Sequence, residues 1–393
     1  MSYQDVFVVE ATRTAIGTFG GALKSVPLSE LASTAIKAVL QRSGADAAGV
    51  GHVVMGNVIP TEPADAYLSR VAAINAGIPK ETPAFNVNRL CGSGLQAIVS
   101  AAQSLMLGDA QMAIGAGAES MSRGPYLLPA ARWGARMGDT QAIDYMLGIL
   151  HDPFQSIHMG VTAENIAARN GITRQMQDEF AIEEQARAAH AIQEGRFAEQ
   201  IVPVEIRSRK GIDLFSVDEH PRASSLEQLA QMKAVFKADG SVTAGNSSGL
   251  NDGAAAVLLA TEEAVKGQNL KPLARIVAYA HAGLEPELMG LGPVPATRMA
   301  LARAGLRAAD MDVIEANVAF AAQACAVIQE LELDPAKVNP NGSGIALGHP
   351  VGATGAIIAT KLVHELQRVQ GRYGLATMCI GGGQGIAVIF ERL

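Results

Sequence analysis

The stretch Asn88-Arg89-Leu90-Cys91-Gly92-Ser93-Gly94-Leu95-Gln96-Ala97 places a cysteine and two glycines at the mouth of a helix. That helix continues as Ile98-Val99-Ser100-Ala101-Ala102-Gln103-Ser104-Leu105-Met106-Leu107, apolar around most of its circumference, so it reads as buried. Before it, His52-Val53-Val54-Met55-Gly56-Asn57 reads as a buried strand ending in a small polar residue; after it, Met112-Ala113-Ile114-Gly115-Ala116-Gly117-Ala118-Glu119 reads as another. Strands alternating with helices imply a parallel, layered α/β sheet. A thiol at Cys91 would sit in the positive end of a helix dipole, which favours thiolate and lowers a free-cysteine pKa of about 8.5. The competing reading is an inert core cysteine, since free cysteine is among the most buried residue types, and this stretch alone favours it.

Working outward, Val6-Phe7-Val8-Val9 reads as a buried strand entering a loop that holds Gly17, Gly20 and Gly21. Ser29 is expected to cap a helix running to about Gln41, with Glu30 in its first turn and Gly44 as its stop. From about Ser122 the texture changes: Arg123, Arg132, Arg136 and the sole tryptophan, Trp133, appear among turn residues, as in an inserted segment. Helices are expected from Thr162 to Asn170, stopped by Gly171, and from Thr173 to about Glu194. Arg207-Ser208-Arg209-Lys210 is a basic cluster, either a solvated face or a phosphate site. The turn-rich run Thr243 to Gly253 leads into Ala254-Ala255-Ala256-Val257-Leu258-Leu259, which reads as helical.

Composition narrows the function classes. A length of 393 residues suggests two or three structural units. Charged residues make up 18% against an ordinary ~25%, and 41 glycines exceed the average, which points to extensive burial and tightly turned backbone. A net charge of −7 argues against nucleic acid or an anionic membrane as the main partner. The cysteines Cys91, Cys325 and Cys379 are too few for a disulfide framework and fit a reducing cytoplasm. The N-terminal Met1 to Val9 has no basic region of a secretory signal, and no run of eighteen apolar residues lacks charges.

The last third echoes the first. Val313-Ile314-Glu315-Ala316-Asn317 answers Val53 to Asn57; Leu273 to Tyr279 answers the opening strand; Thr377-Met378-Cys379-Ile380-Gly381-Gly382-Gly383 answers Met112 to Gly117. Two similar α/β halves follow, with 122–249 inserted into the first. In the second half Gly348-His349-Pro350 stands where Cys91 stands in the first, and another turn carries Cys379. Sites form at strand carboxyl ends in open parallel sheets. The glycine-rich turns do not give Gly-x-Gly-x-x-Gly with an acidic residue about twenty positions on, which rejects a dinucleotide fold. The cysteines and His349 lack the paired spacings of zinc sites, so no metal is expected.

Taken together, Asn88 to Gly94, His158-Met159-Gly160, Ala244-Gly245-Asn246-Ser247-Ser248-Gly249, Asn317-Val318-Ala319-Phe320-Ala321, Gly348-His349-Pro350 and Cys379 to Gly383 resemble the thiolase family, most of all bacterial β-ketothiolases, over essentially the whole chain. The resemblance implies duplicated α/β halves in a layered αβαβα arrangement with an inserted loop domain. The units would be 1–121, the loop domain 122–249, and 250–393, of which about 250–270 completes the first half. It implies reversible, CoA-dependent cleavage of a 3-oxoacyl-CoA, or Claisen condensation of acetyl-CoA with an acyl-CoA, in fatty acid or polyhydroxyalkanoate metabolism. Cys91 would be the nucleophile that carries the acyl group and His349 the base that takes its proton. Cys379 would be the second acid/base, and Asn317 with a water would hold the enolate. The backbone N–H groups of Cys91 and Gly381 would form the other oxyanion hole. His158, Met159, Ser248, Ala319 and Phe320 would line the pantetheine channel, with Arg222 near the nucleotide. Coenzyme A would be substrate, with no tightly bound cofactor, and the loop around Arg132 and Trp133 would join dimers into a homotetramer.

One departure stands out. The family pattern Asn-Glu-Ala-Phe is here Asn317-Val318-Ala319-Phe320, which would take a carboxylate from the edge of the site, disturbing Asn317 or making the acyl pocket more apolar. Two rivals remain: a decarboxylating ketoacyl synthase, against which Cys379 argues, and a catalytically impaired CoA-binding protein, which Val318 motivates.

Overall fold

The computed structural model describes residues 4–209 and 211–393. Met1, Ser2 and Tyr3 of the N-terminal lead, and Lys210 of the basic cluster, lie outside the described residues. The strands that build the core are β1 (Val6–Thr14), β2 (Val50–Gly56), β3 (Ala84–Val87), β4 (Met112–Ser120), β5 (Asn251–Thr261), β6 (Ala274–Gly283), β7 (Val313–Ala316), β8 (Tyr373–Ile380) and β9 (Gln384–Arg392). The main helices are α1 (Leu28–Ser43), α2 (Leu68–Asn75), α3 (Ser93–Met106), α4 (Met159–Asn170), α5 (Arg174–Gln193), α6 (Pro293–Ala304), α7 (Ala321–Glu330) and α8 (Val351–Val369).

The echo in the sequence becomes a repeat in the sheet. Its first half runs β1-β5-β4-β2 and its second β6-β9-β8-β7. In each set the first two contacts are antiparallel and the third is parallel. The sheet is therefore mixed, where the alternation of strands and helices had implied a parallel one. The reason is local: Ala254 to Leu259, read from sequence as helical, is the interior of β5, buried along its whole length between β1 and β4. A short alanine-rich run carries no decisive period, so packing on both edges decides its state. The two sets meet where Phe7 pairs with Arg275 and Val8 with Ala274.

Three cores hold five layers together, the middle one filling both faces of the central helix layer. Val9, Leu31, Ile36, Val53 and Leu258 pack α1 and α2 on the outside of the first strand set. Ala296, Leu301, Val327, Leu375 and Ile389 do the same for α6 and α7 on the second. Between the sets, Ile98, Leu105, Ile357 and Leu362 of α3 and α8 share one core with residues of both, such as Val54 and Val388. Each fully buried aliphatic side chain of this kind contributes about 1.5–3 kcal/mol. The arrangement is αβαβα. The buried reading of α3 holds, since ten of its residues from Ser93 to Leu105 are buried.

Helices α3 and α8 touch backbone to backbone. A Cβ on Gly94 would lie 2.6 Å from the Ala356 nitrogen, and one on Gly355 would strike the Leu95 nitrogen. Only glycine lets the axes approach this closely, and the approach brings the two helix N-termini side by side.

Sequence expectations at the helix ends hold in part. Gly44 and Gly171 stop α1 and α4 in the left-handed conformation, and the Thr173 side chain caps α5. Ser29, however, lies inside α1, whose N-cap is Pro27 with no side-chain cap. No helix among the described residues is long and apolar enough to cross a membrane.

Candidate active site

Cys91 lies two residues before α3, on a turn whose Leu90 takes φ +44°. A non-glycine residue in that region stores of order 1–3 kcal/mol of strain and needs its surroundings to hold it. Ser93 supplies the hold: its hydroxyl donates to the Leu90 carbonyl (2.6 Å) and accepts from the Arg89 N–H (2.9 Å). The Cys91 side chain is half-buried and packs against the central core.

Burial pushes the Cys91 thiol up to about 11, with Glu119 adding to the rise, while the backbone N–H groups of Gly381 and Cys91 pull it down. The sequence expectation of a depressed thiol is therefore corrected. Desolvation outweighs the helix N-terminus, because Cys91 precedes the first helical residue and faces an apolar space. The same contact sets the expected oxyanion-hole donors, the N–H groups of Cys91 and Gly381, around one sulfur.

His349 precedes α8 as Cys91 precedes α3, separated from it by the N-cap Pro350. The ring is buried, and desolvation lowers its pKa to about 4, so it is neutral at physiological pH. Its backbone N–H donates to Asn251 Oδ1 (2.9 Å). Asn317, just past β7, places Nδ2 3.4 Å from His349 Nε2, and its buried Oδ1 has no hydrogen-bond partner. That oxygen is a free acceptor where the family resemblance expects a water. Cys379, near the end of β8, is buried, and burial with the neighbouring Cys91 pushes its thiol far up.

The loop carrying His349 is braced from several elements. Glu184 of α5 accepts from the Ser343 N–H (2.5 Å), and Lys361 of α8 donates to the Gly342 carbonyl (2.5 Å) and pairs with Glu315 (2.6 Å). On the other side Glu119 receives four N–H groups, from Asn57, Val58, Ile59 and Gly352, which tie β2 and β4 to the first turn of α8. Burial raises this carboxyl to about 8 against the pull of its backbone donors.

Cys91, His349, Cys379 and Gly381 line one cavity of about 440 Å³. His158, Met159, Ser248, Ala319 and Phe320 line it too, so the residues expected for the pantetheine channel converge there. His158 stacks on Phe236 with ring centroids 4.6 Å apart, and Phe236 meets Phe320 edge-on at 6.1 Å. Burial and then His151 lower the His158 pKa. Arg222 is exposed and is not part of this wall; its guanidinium donates to the Ala244 carbonyl (3.1 Å). Arg207, on an exposed hairpin, pairs with Glu205 at 3.5 Å, away from the cavity.

Sequence reasoning missed Phe236 and the apolar wall of Val58, Met121, Leu147, Ile149, Leu150, Leu250 and Val351. The run Leu147-Gly148-Ile149-Leu150 was the available signal, an apolar patch inside an otherwise polar insertion. The expectation that Val318 makes the acyl pocket more apolar is corrected. It is fully buried in a separate apolar cluster with Ala181, Leu229 and Ile345, and it does not line the cavity. Its neighbour Ala319 belongs to the core of the second strand set and lines the cavity. Among the described residues no group of His, Cys, Asp and Glu is arranged to hold a metal ion.

Comparison with known proteins agrees with this geometry. The thiolase N-terminal domain model matches residues 6–263 and the thiolase C-terminal domain model residues 270–392. Beta-ketothiolase BktB of Cupriavidus necator is 62% identical over 392 residues, 99% of this chain and 100% of that one. Acetyl-CoA acetyltransferase of Pseudomonas aeruginosa is 49% identical over 99% of this chain and 100% of its own. Human mitochondrial 3-ketoacyl-CoA thiolase superposes with a TM-score of 0.98 at 45% identity, covering 100% of both chains. Two paired helix mouths bearing a cysteine and a histidine, with matches along the full length, lead to one conclusion: the chain belongs to the thiolase family.

Proposed function

We propose that the chain is a β-ketothiolase, an acyltransferase that cleaves 3-oxoacyl-CoA with CoA into acyl-CoA and acetyl-CoA, and runs the Claisen condensation in reverse. The observation that carries this reading is the convergence of Cys91, His349 and Cys379 on one apolar cavity, with Asn317 behind His349. His349, neutral, takes the Cys91 proton on Nε2, and the thiolate attacks the 3-oxo carbon. The N–H groups of Cys91 and Gly381 receive the oxyanion; one such donor is typically worth roughly 100–1,000-fold in rate. The bond between the α and β carbons then breaks, leaving the acyl group on Cys91 and an acetyl-CoA enolate held by Asn317 and His349. Cys379, whose raised pKa keeps it protonated, donates the proton that completes acetyl-CoA. After acetyl-CoA leaves, the Cys379 thiolate takes the proton of an incoming CoA thiol, the CoA sulfur attacks the acyl carbonyl, and the bond to Cys91 breaks, the Cys91 thiolate regaining its proton from His349. The substrate is coenzyme A thioester throughout, with no tightly bound cofactor.

The cavity wall beside Cys91 is aliphatic, which favours an uncharged acyl chain. Arg222 remains the candidate for the nucleotide end of CoA. In this reading residues 122–249 form a loop domain between 1–121 and 250–393, serving CoA binding and assembly, and 250–270 completes the first half. Trp133 and Met137, 81% and 97% exposed, with Tyr126, Leu127 and Leu128, offer the apolar surface expected of a tetramer-forming loop. A cytoplasmic role in fatty acid or polyhydroxyalkanoate metabolism fits this chemistry.

The test separates the two thiols. With Cys379→Ala, acyl-CoA should acylate Cys91, seen as a mass shift on the intact protein, without turnover in either direction. With Cys91→Ala, neither acylation nor turnover should occur. Full thiolysis by Cys379→Ala would remove Cys379 from the mechanism.

A further inference from the structure

The mechanism needs His349 to present a lone pair at Nε2, yet a neutral imidazole carries its proton on either nitrogen. The surroundings of the ring choose. His349 Nδ1 lies 2.7 Å from the hydroxyl of Thr354, one turn along α8 and itself 3% exposed. That hydroxyl donates to the Pro350 carbonyl at 2.9 Å, so its oxygen is left to accept from Nδ1–H. At the other end of the ring, Asn317 Nδ2, a donor, faces Nε2 at 3.4 Å. With the proton on Nδ1 both contacts are donor to acceptor, and the long Asn317 contact is the one that yields when Nε2 takes a proton.

We propose that Thr354 is a positioning residue that holds His349 with its proton on Nδ1, leaving Nε2 to take and return the Cys91 proton. This rests on the thiolase reading above. In the transfer the S–H bond of Cys91 breaks and an N–H bond forms at Nε2, giving thiolate and imidazolium. The Nδ1–H bond stays intact and continues to donate to Thr354, whose hydroxyl passes the polarisation to the Pro350 carbonyl. Ring orientation is thus set from inside α8 and not by a carboxylate.

The test compares Thr354→Val, which keeps the shape without the oxygen, with Thr354→Ser, which keeps the oxygen. For Thr354→Val, kcat for thiolysis should fall on the order of 10–100-fold, as for a buried partner removed from a reacting group. KM for either substrate should move less than about threefold, the signature of an effect on chemistry and not on binding. Iodoacetamide should alkylate Cys91 correspondingly more slowly, and Thr354→Ser should restore both rates to within about threefold of the parent. Wild-type kcat in Thr354→Val would overturn the proposal. So would an equal loss in both variants at unchanged melting temperature, because the oxygen that Thr354→Ser retains would then rescue nothing. If the parent protein itself fails to turn over any 3-oxoacyl-CoA, the thiolase reading fails, while the Cys91 alkylation rates still decide whether Thr354 acts on His349.

Discussion

Gly94→Ala is the smallest change that should separate the catalytic halves of this site. The added methyl would lie 2.6 Å from the Ala356 nitrogen, about 0.8 Å inside the 3.4 Å of ordinary contact. Its next neighbours are the carbonyl oxygens of Gly352 and Ala353, each at 3.1 Å, so no rotamer change relieves the clash. Alanine gains about 1 kcal/mol in helix propensity over glycine. Overpacking against backbone costs about 1–3 kcal/mol, so the net loss is at most about 2 kcal/mol. At about 2.1 cal/mol/K per residue, a chain of 393 residues unfolds with roughly 0.8 kcal/mol/K, so the melting temperature drops by at most about 2.5 °C. Activity should suffer far more. Helices α3 and α8 must part by several tenths of an ångström, carrying Cys91 and His349 with them, and a 1 Å misplacement costs on the order of 100-fold. Steady-state thiolysis of a 3-oxoacyl-CoA should therefore show kcat down on the order of 10–100-fold in a protein that still melts cooperatively and binds CoA. A Gly94→Ala enzyme with parental kcat would refute the claim that this crossing sets the site.

Three further outcomes follow from the same geometry. The Cys91 thiol, raised to about 11, is mostly protonated at neutral pH, so its alkylation by iodoacetamide should keep accelerating as pH rises from 7 to 9; a plateau at or below pH 7 would show a thiolate already formed. Asp218→Ala leaves the fully buried Arg13 guanidinium without its bidentate partner at 2.7 and 2.9 Å, and denaturant titration should show a loss of about 3–5 kcal/mol. Val318→Glu restores the family pattern but sets a carboxylate among Ala181, Leu229 and Ile345, so it should lower the melting temperature while kcat of the folded enzyme stays within about threefold, under about 1 kcal/mol. A tenfold gain would return residue 318 to the site.

The sequence made the chemical groups legible and left their environment hidden. Cys91, His349, Cys379 and Asn317 sit in short motifs at strand ends and helix mouths, where local pattern and the proposed chemistry coincide. The repeat was visible because β1, β2 and β4 have counterparts in β6, β7 and β8. The antiparallel sense of the central strands was not, since Ala254 to Leu259 owes its strand state to partners on both edges. The acidity of Cys91 was misjudged for a related reason. A helix mouth can be read from residues, but the water it loses depends on Leu90, Met121 and Val351 closing over it. The direction of Val318 depends on how the chain leaves β7, which no period encodes.

The position of β1 also bears on how the chain is made. It lies in the middle of the sheet, between β5 and β6, yet Val6 pairs with Thr261, about 255 residues later. At about 5–20 residues per second, synthesis leaves that apolar strand unpaired for on the order of 10–50 s. Throughout that interval both of its edges can pair with other chains, a template for aggregation. The strand that unites the two halves in the finished protein is thus the segment most in need of protection on the ribosome. Productive folding at high expression should then depend on chaperone supply more than on the stability of the final fold.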